Sequence, residues 1–327
     1  MSAYSQEMLV AVSHLYYMEG LKQEDVAFRM NLSRLAVTRM LKKAREEGVV
    51  QITVKGPLPE LVGLALRLEQ AFGLKAVRVV QTAATADDTA AAMGRAGAEL
   101  LSHLLRPNVR LGVAWSRTVS SILPYVRRAT RAGVIVNELA GTYLAPNIPY
   151  SVSWQLAEKL GVPLESVPMP VLVKSEHVRQ IMLKEPMIRR AMANAARVDL
   201  ALVGLGNVLE GSSLEQSGYI TPSHLQEFKS KGAVGDILMR YYDRDGRYIH
   251  MSFEKRTVSV SWDQLRKLPF IVAMAFGPAK IEAINGALAG GFIHGLVTDA
   301  STARTLLEGI ESRIDTENEE SLLKRSK

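Results

Sequence analysis

The chain contains no cysteine. That excludes a disulfide framework, a thiolate metal site and a thiol nucleophile. Its six histidines, His14, His103, His177, His224, His250 and His294, show no H-x-x-x-H or other ligand spacing, so no metal site is expected. No G-x-S-x-G elbow is present, and no cofactor is expected. No apolar run reaches the roughly 18 residues that a membrane span requires. The first residues lack the layout of a signal peptide. The expectation is a cytoplasmic protein with no membrane partner.

What is there begins with length and charge. The 327 residues are enough for two domains and a large core. The net charge is +7 and the pI about 9.5. Eight basic residues against four acids lie between Lys22 and Lys55. This segment therefore carries a large share of the excess, which fits an anionic partner but does not choose nucleic acid over a membrane surface.

The order of residues in that segment is more specific than its charge. Gln23 to Met30 places Val26, Ala27 and Met30 on one helical face. Asn31, which tolerates a left-handed turn, and Ser33, a good N-cap, separate it from a second helix over about 34–47. Gly48 suits the end of that helix. Val37, Met40, Leu41 and Ala44 recur at helical spacing, and Arg34, Thr38, Arg39, Lys42, Lys43 and Arg45 fill the other face. This order predicts a helix-turn-helix followed by a wing strand over Val49–Val54. A recognition helix offers its N-terminal residues to base edges. Those residues are Ser33, Arg34, Val37, Thr38 and Arg39, joined by Gln23 at the start of the preceding helix. Lys42, Lys43 and Lys55 are assigned to phosphates. A helix over Glu7–Glu19 precedes the motif, and its Tyr16 and Tyr17 either pack the motif's core or face a partner.

Gly56-Pro57-Leu58-Pro59 marks the boundary between a DNA-binding domain, residues 1–56, and a second domain, residues 57–327. A helix over Glu60–Phe72 either pairs two chains or docks on the second domain. From Lys75 onward apolar strands alternate with helices. The strands are expected at Ala76–Val80, Asn108–Ala114, Gly133–Leu139, Val162–Pro168, Leu200–Leu205, Ile271–Ala275 and Leu296–Thr298. Intervening helices are expected at Asp87–Leu105, Thr118–Arg128, Val152–Leu160, Ser175–Lys184, Met187–Ala196, Ala279–Ala289 and Ser301–Leu307. Such alternation gives an α/β fold, a mostly parallel sheet covered on both faces. Residues 206–230 read as a loop with one short helix, and 231–262 as a hairpin around Asp243–Arg247.

In open parallel sheets ligands bind beyond the carboxyl ends of the strands. One loop there, Gly112 to Val119, carries Trp115, Ser116, Arg117 and Thr118 and opens a helix. Its amides, hydroxyls and charge suit a phosphate, or else reduce to an N-cap and a surface arginine. A second loop is Ala140-Gly141-Thr142-Tyr143. A third, Gly204-Leu205-Gly206-Asn207, resembles half of a nucleotide fingerprint but has Leu209 where the last glycine would stand. Asp236 either holds sugar hydroxyls or caps a helix over 237–241. Lys280 either meets an anion or lies on the surface.

The chain also resembles the SorC family of bacterial transcriptional regulators, the SorC/DeoR sugar-binding group. The resemblance rests on Tyr16-Tyr17, Gly20-Leu21 with Gln23, the Leu32–Leu41 helix, Gly112 to Thr118 and Val203 to Gly206. Further along it rests on Gly232 to Asp236, Lys280 to Ile284, and Leu296 to Asp299 with Thr302-Ala303. It implies a winged helix-turn-helix joined to a Rossmann-like, doubly wound effector domain similar to sugar-phosphate isomerases and deaminases. It further implies operator DNA and a phosphorylated sugar or polyol as partners, and a homodimer or homotetramer. Ser116, Arg117 and Thr118 would hold the phosphate, with Asp236 and Lys280 on the rest of the effector. Ser116 and Phe276 stand where the family often has glycine, so the effector's identity does not transfer.

The leading expectation is an effector-controlled regulator of a carbohydrate or polyol operon with no catalytic residues. The alternative is a sugar-phosphate isomerase or deaminase with a basic accessory domain, for which Asp236, Glu138 and His177 are the acid/base candidates. A regulator keeping weak chemistry, such as a Schiff base at Lys280, is the third reading.

Overall fold

The computed structural model describes residues 4–50, 57–128, 132–143 and 151–310. The chain divides into two compact units, Met1–Pro59 and Glu60–Lys327.

In the first unit, α1 (Gln6–Ser13) runs into a π-helical turn, His14–Met18, and is followed by α2 (Gln23–Arg29) and α3 (Arg34–Glu46). The expected single helix over Glu7–Glu19 is thus two helical forms. Leu9 and Val12 pack against Val26, Ala27, Val37, Met40, Leu41 and Ala44. Asn31 takes a left-handed φ of 52° between α2 and α3, as the turn requires. Ser33 then caps α3, its Oγ accepting from Ala36 N at 3.1 Å, a contact of about 1 kcal/mol. Val49 and Val50 are irregular. The rest of the expected wing strand, with Lys55, lies outside the described residues.

The division falls within the first turn of α4 (Pro57–Phe72), whose remainder opens the second unit. Both prolines of the expected break stand in its first turn, where a missing N–H removes no helical bond. Leu64 and Leu68 of α4 are buried in the core of this unit, with Leu61 and Phe72 packed against it. There follow β1 (Ala76–Val80), α5 (Ala86–Leu104), β2 (Arg110–Val113), α6 (Arg117–Ser120), β3 (Ile135–Glu138), α7 (Val152–Leu160) and β4 (Leu164–Glu165). Next come α8 (Glu176–Met182), α9 (Pro186–Ala195), β5 (Leu200–Gly204), β6 (Gly206–Asn207), α10 (Ser213–Gln216), α11 (Pro222–Lys231), β7 (Gly235–Ile237), β8 (Arg240–Tyr242) and β9 (Tyr248–Ile249). The unit closes with α12 (Trp262–Leu265), β10 (Ile271–Met274), α13 (Ile281–Ala289), β11 (Gly295–Asp299) and a helix over 300–310.

Seven strands form one parallel sheet in the order β1-β11-β10-β5-β2-β3-β4. Successive side chains of the central strands β5 and β10 enter two different cores. Ala201 and Val203 of β5, with Ile271 and Ala273 of β10, join α4, α13 and the 300–310 helix on one face. Leu200 and Leu202, with Val272 and Met274, join α5 and α7 on the other. Each fully buried aliphatic side chain contributes about 1.5–3 kcal/mol, so strands buried on both faces are continuous apolar runs. From β2 the chain winds outward through β3 and β4. It returns at β5 beside β2 and winds the other way. The gap between the ends of β2 and β5 is therefore the sheet's topological switch point.

Several expected elements differ. The helix placed at Thr118–Arg128 is only the four residues of α6, followed by turns through 125. Pro124 cannot continue it, having no N–H to donate and a ring that crowds the preceding turn. Residues 206–230 contain two helices and a short strand rather than one helix. The helix expected over 237–241 is instead a tight antiparallel hairpin between β7 and β8. Together β6, β7, β8 and β9 make a four-stranded antiparallel sheet.

Candidate functional site

The hairpin joining β7 and β8 turns through Leu238 and Met239, whose φ angles are 57° and 60°. Two successive left-handed residues form the turn type that normally carries Asn-Gly. Here both are large, apolar and buried. Asp236 Oδ2 accepts from Met239 N at 3.0 Å and pins the turn. Asp236 is thus a strand residue holding a hairpin, not the cap of a helix.

Asp236 is buried and faces a cavity of about 300 Å³ at the switch point. Trp115, Ser116, Arg117 and Thr118 line it from the end of β2, Gly204 and Gly206 from the end of β5, and Lys280 from beyond β10. Eight expected residues, these seven and Asp236, therefore meet in one place. Gly112 does not reach the cavity: a Cβ there would stand 2.6 Å from Leu139 Cδ2 and 2.8 Å from Val198 Cγ2, so it is small for packing. Gly141 and Thr142 line a separate small cavity with Glu138 and Ser153. Of the acid/base candidates, only Asp236 lines the main cavity. Both Glu138 oxygens accept hydrogen bonds, from Ser153 Oγ and Val167 N, and His177 is exposed on α8.

The two glycines after β5 are explained by their neighbours. A Cβ at residue 204 would lie 2.3 Å from Ser116 Oγ, and one at residue 206 would lie 1.7 Å from Asp236 Oδ1. Ser116 Oγ accepts from Val119 N at 3.1 Å, which leaves its proton free to donate. Arg117 Nη2 donates to Ser213 Oγ at 3.0 Å, tying α10 to the cavity.

The electrostatics of the cavity are unbalanced. Asp236 has its pKa pushed up to about 6, chiefly by burial, with Lys280 and the Met239 N–H opposing. Lys280, half-buried, has its pKa lowered, also chiefly by burial, with Asp236 opposing and Arg117 adding to the shift. Each charge thus loses more by leaving water than its partner restores. Lys280 closes the turn Pro278–Lys280 and directly precedes α13, where a cation also opposes the helix dipole. Gly277, with φ of 91°, is held by Thr302, whose Oγ1 accepts its N–H at 2.8 Å. Two buried acceptors in this cavity, Asp236 Oδ1 and Asn207 Oδ1, have no hydrogen-bond partner among the described residues.

Tyr143 and Asn207 end two of the candidate loops without having been singled out, and the serines around α10 were not anticipated. Tyr143 stacks between Trp115, centroids 5.4 Å apart, and Tyr219, 4.8 Å. Its hydroxyl lies within hydrogen-bond reach of Ser217 Oγ and of Ser213 O. The pair Thr221-Pro222, a cap followed by proline, was the available signal for α11. For Asn207 and Tyr143 the signal was only their place in strand-end loops.

In the first unit, Arg34, Thr38, Arg39 and Lys42 are exposed along α3. Thr38 Oγ1 lies 2.9 Å from Gln23 Oε1, joining the two helices. Arg34 pairs with Glu24 at 3.0 Å, Lys42 with Glu46 at 3.7 Å and Lys43 with Glu47 at 3.5 Å. These exposed pairs are worth about 0–1 kcal/mol each. Lys43 also lies over the Tyr4 ring, at the edge of the exposed face. Arg39 makes no ion pair or hydrogen bond with the described residues. Val37 is fully buried, so it is a core residue and cannot touch a base.

The sugar-binding domain family model matches residues 57–308. The chain is 32% identical over 314 residues to the transcriptional regulator LsrR of Klebsiella pneumoniae, covering 92% of this chain and 93% of that protein. It is 30% identical to the transcriptional regulator YjhU of Escherichia coli K12, covering 94% and 96%. The crystal structure of the full-length sorbitol operon regulator SorC from Klebsiella pneumoniae superposes with a TM-score of 0.71 at 27% identity, covering 92% and 98%. Fold, length and sequence agree, and the chain belongs to the SorC family of transcriptional regulators with a sugar-binding domain.

Proposed function

We propose that this protein is a cytoplasmic, homo-oligomeric regulator of a carbohydrate or polyol operon. Residues 1–56 bind double-stranded operator DNA, and residues 57–327 bind a phosphorylated sugar or polyol that controls the operator complex. The observation carrying the effector half is the pair of unpartnered buried acceptors, Asp236 Oδ1 and Asn207 Oδ1, in one cavity with Arg117 and Lys280. An unsatisfied buried acceptor costs about 1–3 kcal/mol. Ligand hydroxyls remove that cost, while a phosphate supplies the charge that Lys280 and Arg117 lack. Ser116 and Thr118 add hydroxyl donors to the same phosphate. The face of Trp115, backed by Tyr143, offers an apolar surface to the C–H side of a sugar.

The proposal assigns no catalysis. Isomerisation needs an acid and a base on one substrate, and of the expected candidates Asp236 alone lines the cavity. Control follows from differential affinity. A ligand preferring one arrangement of the protein shifts the population toward it, and so changes the affinity for DNA.

The test is thermal melting of the full chain with a panel of free and phosphorylated sugars and polyols. A phosphorylated member is expected to raise the melting temperature, and Lys280→Ala to lose that shift while still binding DNA. A Lys280→Ala protein that responds normally would remove Lys280 from the site.

A further inference from the structure

Four residues of α3 are buried on one side: Val37, Met40, Leu41 and Ala44. At about 100° per residue, the direction opposite this core is occupied by Leu35 and, three turns on, Glu46, with Lys42 and Arg39 flanking it on either side. Leu35 is 59% exposed. It is the second residue of the helix, within the turn that reaches furthest toward base edges when such a helix enters the major groove. The chain thus places a large apolar side chain at the centre of its most cationic helical face.

We propose that Leu35 reads DNA sequence by packing against the C5-methyl group of a thymine in the major groove. This inference rests on the DNA-binding reading above and gives it a specific base. The neighbours of Leu35 are suited to a polyanion. Arg34 and Lys42 are held only by exposed, weak ion pairs, and Arg39 is free among the described residues. They position the helix on phosphates or guanine edges and bring Leu35 with them. The thymine methyl is the apolar group that base pairs display in the major groove, and aliphatic contact is how it is read. Ser33 is committed to the helix cap, and the Thr38 hydroxyl is within hydrogen-bond reach of Gln23 and of Arg34 O. Val37 is in the core. Leu35 is therefore the apolar side chain that the first two turns of α3 expose.

The experiment uses the full chain and a randomised duplex pool. Sequences enriched by the unsubstituted protein are remade with 2′-deoxyuridine, which lacks the methyl, at each thymine in turn. The expected result is a thymine in each half-site where this change weakens binding about fourfold, the worth of one buried methyl group. Leu35→Ala should bind the parent duplex more weakly and be indifferent to uracil at that position alone. Leu35 is exposed, so its truncation leaves the core intact, and the uracil scan on the unsubstituted protein stands without it. Indifference to uracil at every thymine would overturn the proposal. So would a Leu35→Ala protein that keeps the same sensitivity, because another group would then read the methyl. If the pool yields no enriched sequence, the DNA-binding reading itself fails and the Leu35 assignment falls with it.

Discussion

Asp236 occupies the space that a side chain at position 206 would need, its Oδ1 standing 1.7 Å from where a Cβ of residue 206 would lie. Gly206 is a glycine because of this carboxylate, since its φ is not positive. Methyl addition at 206 must move Asp236, and with it the hydrogen bond to Met239 N that holds the hairpin.

Gly206→Ala is therefore expected to destabilise the protein by about 1–3 kcal/mol, the usual cost of overpacking, and to abolish stabilisation by the ligand. In an Asp236→Gly background, which lacks the hairpin's hydrogen bond, the same methyl should cost little further stability, and ligand response should remain lost. Gly63→Ala, where a Cβ meets open space within α4, is the control and should be neutral or slightly stabilising. Chemical denaturation of the unsubstituted protein, the three single variants and the double variant checks this. Equal losses from Gly206→Ala with and without Asp236→Gly would mean that the carboxylate is not the obstacle.

The charge on Asp236 gives a pH dependence. Its folded pKa is raised from 3.8 to about 6. A raised pKa means that the folded state holds the proton more tightly than the unfolded chain. The associated stability is fully present below about pH 4 and is lost as pH rises through about 6. Asp236→Asn removes the buried charge and keeps an acceptor for Met239 N. It should stabilise the ligand-free protein by about 1–3 kcal/mol at pH 7.5, with the gain fading toward pH 4. Denaturation at the two pH values measures it, and a gain independent of pH would contradict the assignment.

On α3 the buried and exposed faces separate cleanly. Val37→Ala should cost about 1–3 kcal/mol of folding stability through the void it leaves. Arg39→Ala should leave stability unchanged and cost about 1–3 kcal/mol in binding to a selected duplex, with relaxed preference at one base position. Melting curves and duplex titrations of both variants distinguish the roles. Unchanged affinity and preference in Arg39→Ala would take that side chain out of the reading set.

The legible parts of the fold were those where one physical pattern dominates. Strands such as Leu200–Gly204 and Ile271–Met274 are buried on both faces and show as unbroken apolar runs. The Asn31–Ser33 turn was legible because a left-handed residue and an N-cap need particular side chains. Two helix readings failed for opposite reasons. At 118–128 apolar periodicity outweighed Pro124, which stops the helix. At 237–241 the residues Ile237-Leu238-Met239-Arg240-Tyr241 have ordinary helical propensity, and nothing local announces a hairpin with two left-handed apolar residues. Tertiary packing and Asp236 hold that turn, so no window of sequence contains its cause. The cavity was half legible. Strand-end loops singled out Ser116, Arg117, Asp236 and Lys280 and contained Tyr143 and Asn207, but the parts those two play depend on the aromatic stack and the inserted antiparallel sheet, which no loop sequence shows.

The left-handed pair Leu238-Met239 has a consequence for how this molecule can be improved. Each residue in that conformation costs about 1–2 kcal/mol relative to an ordinary one, and the turn adjoins a buried carboxylate with one unpaired oxygen. The surroundings of the cavity thus concentrate several of the costliest features of the fold. Glycine in the turn, or a neutral residue at 236, would make the empty protein firmer. A laboratory selection for heat resistance alone would tend to find these changes first, and would return a sturdier protein that no longer responds to its signal.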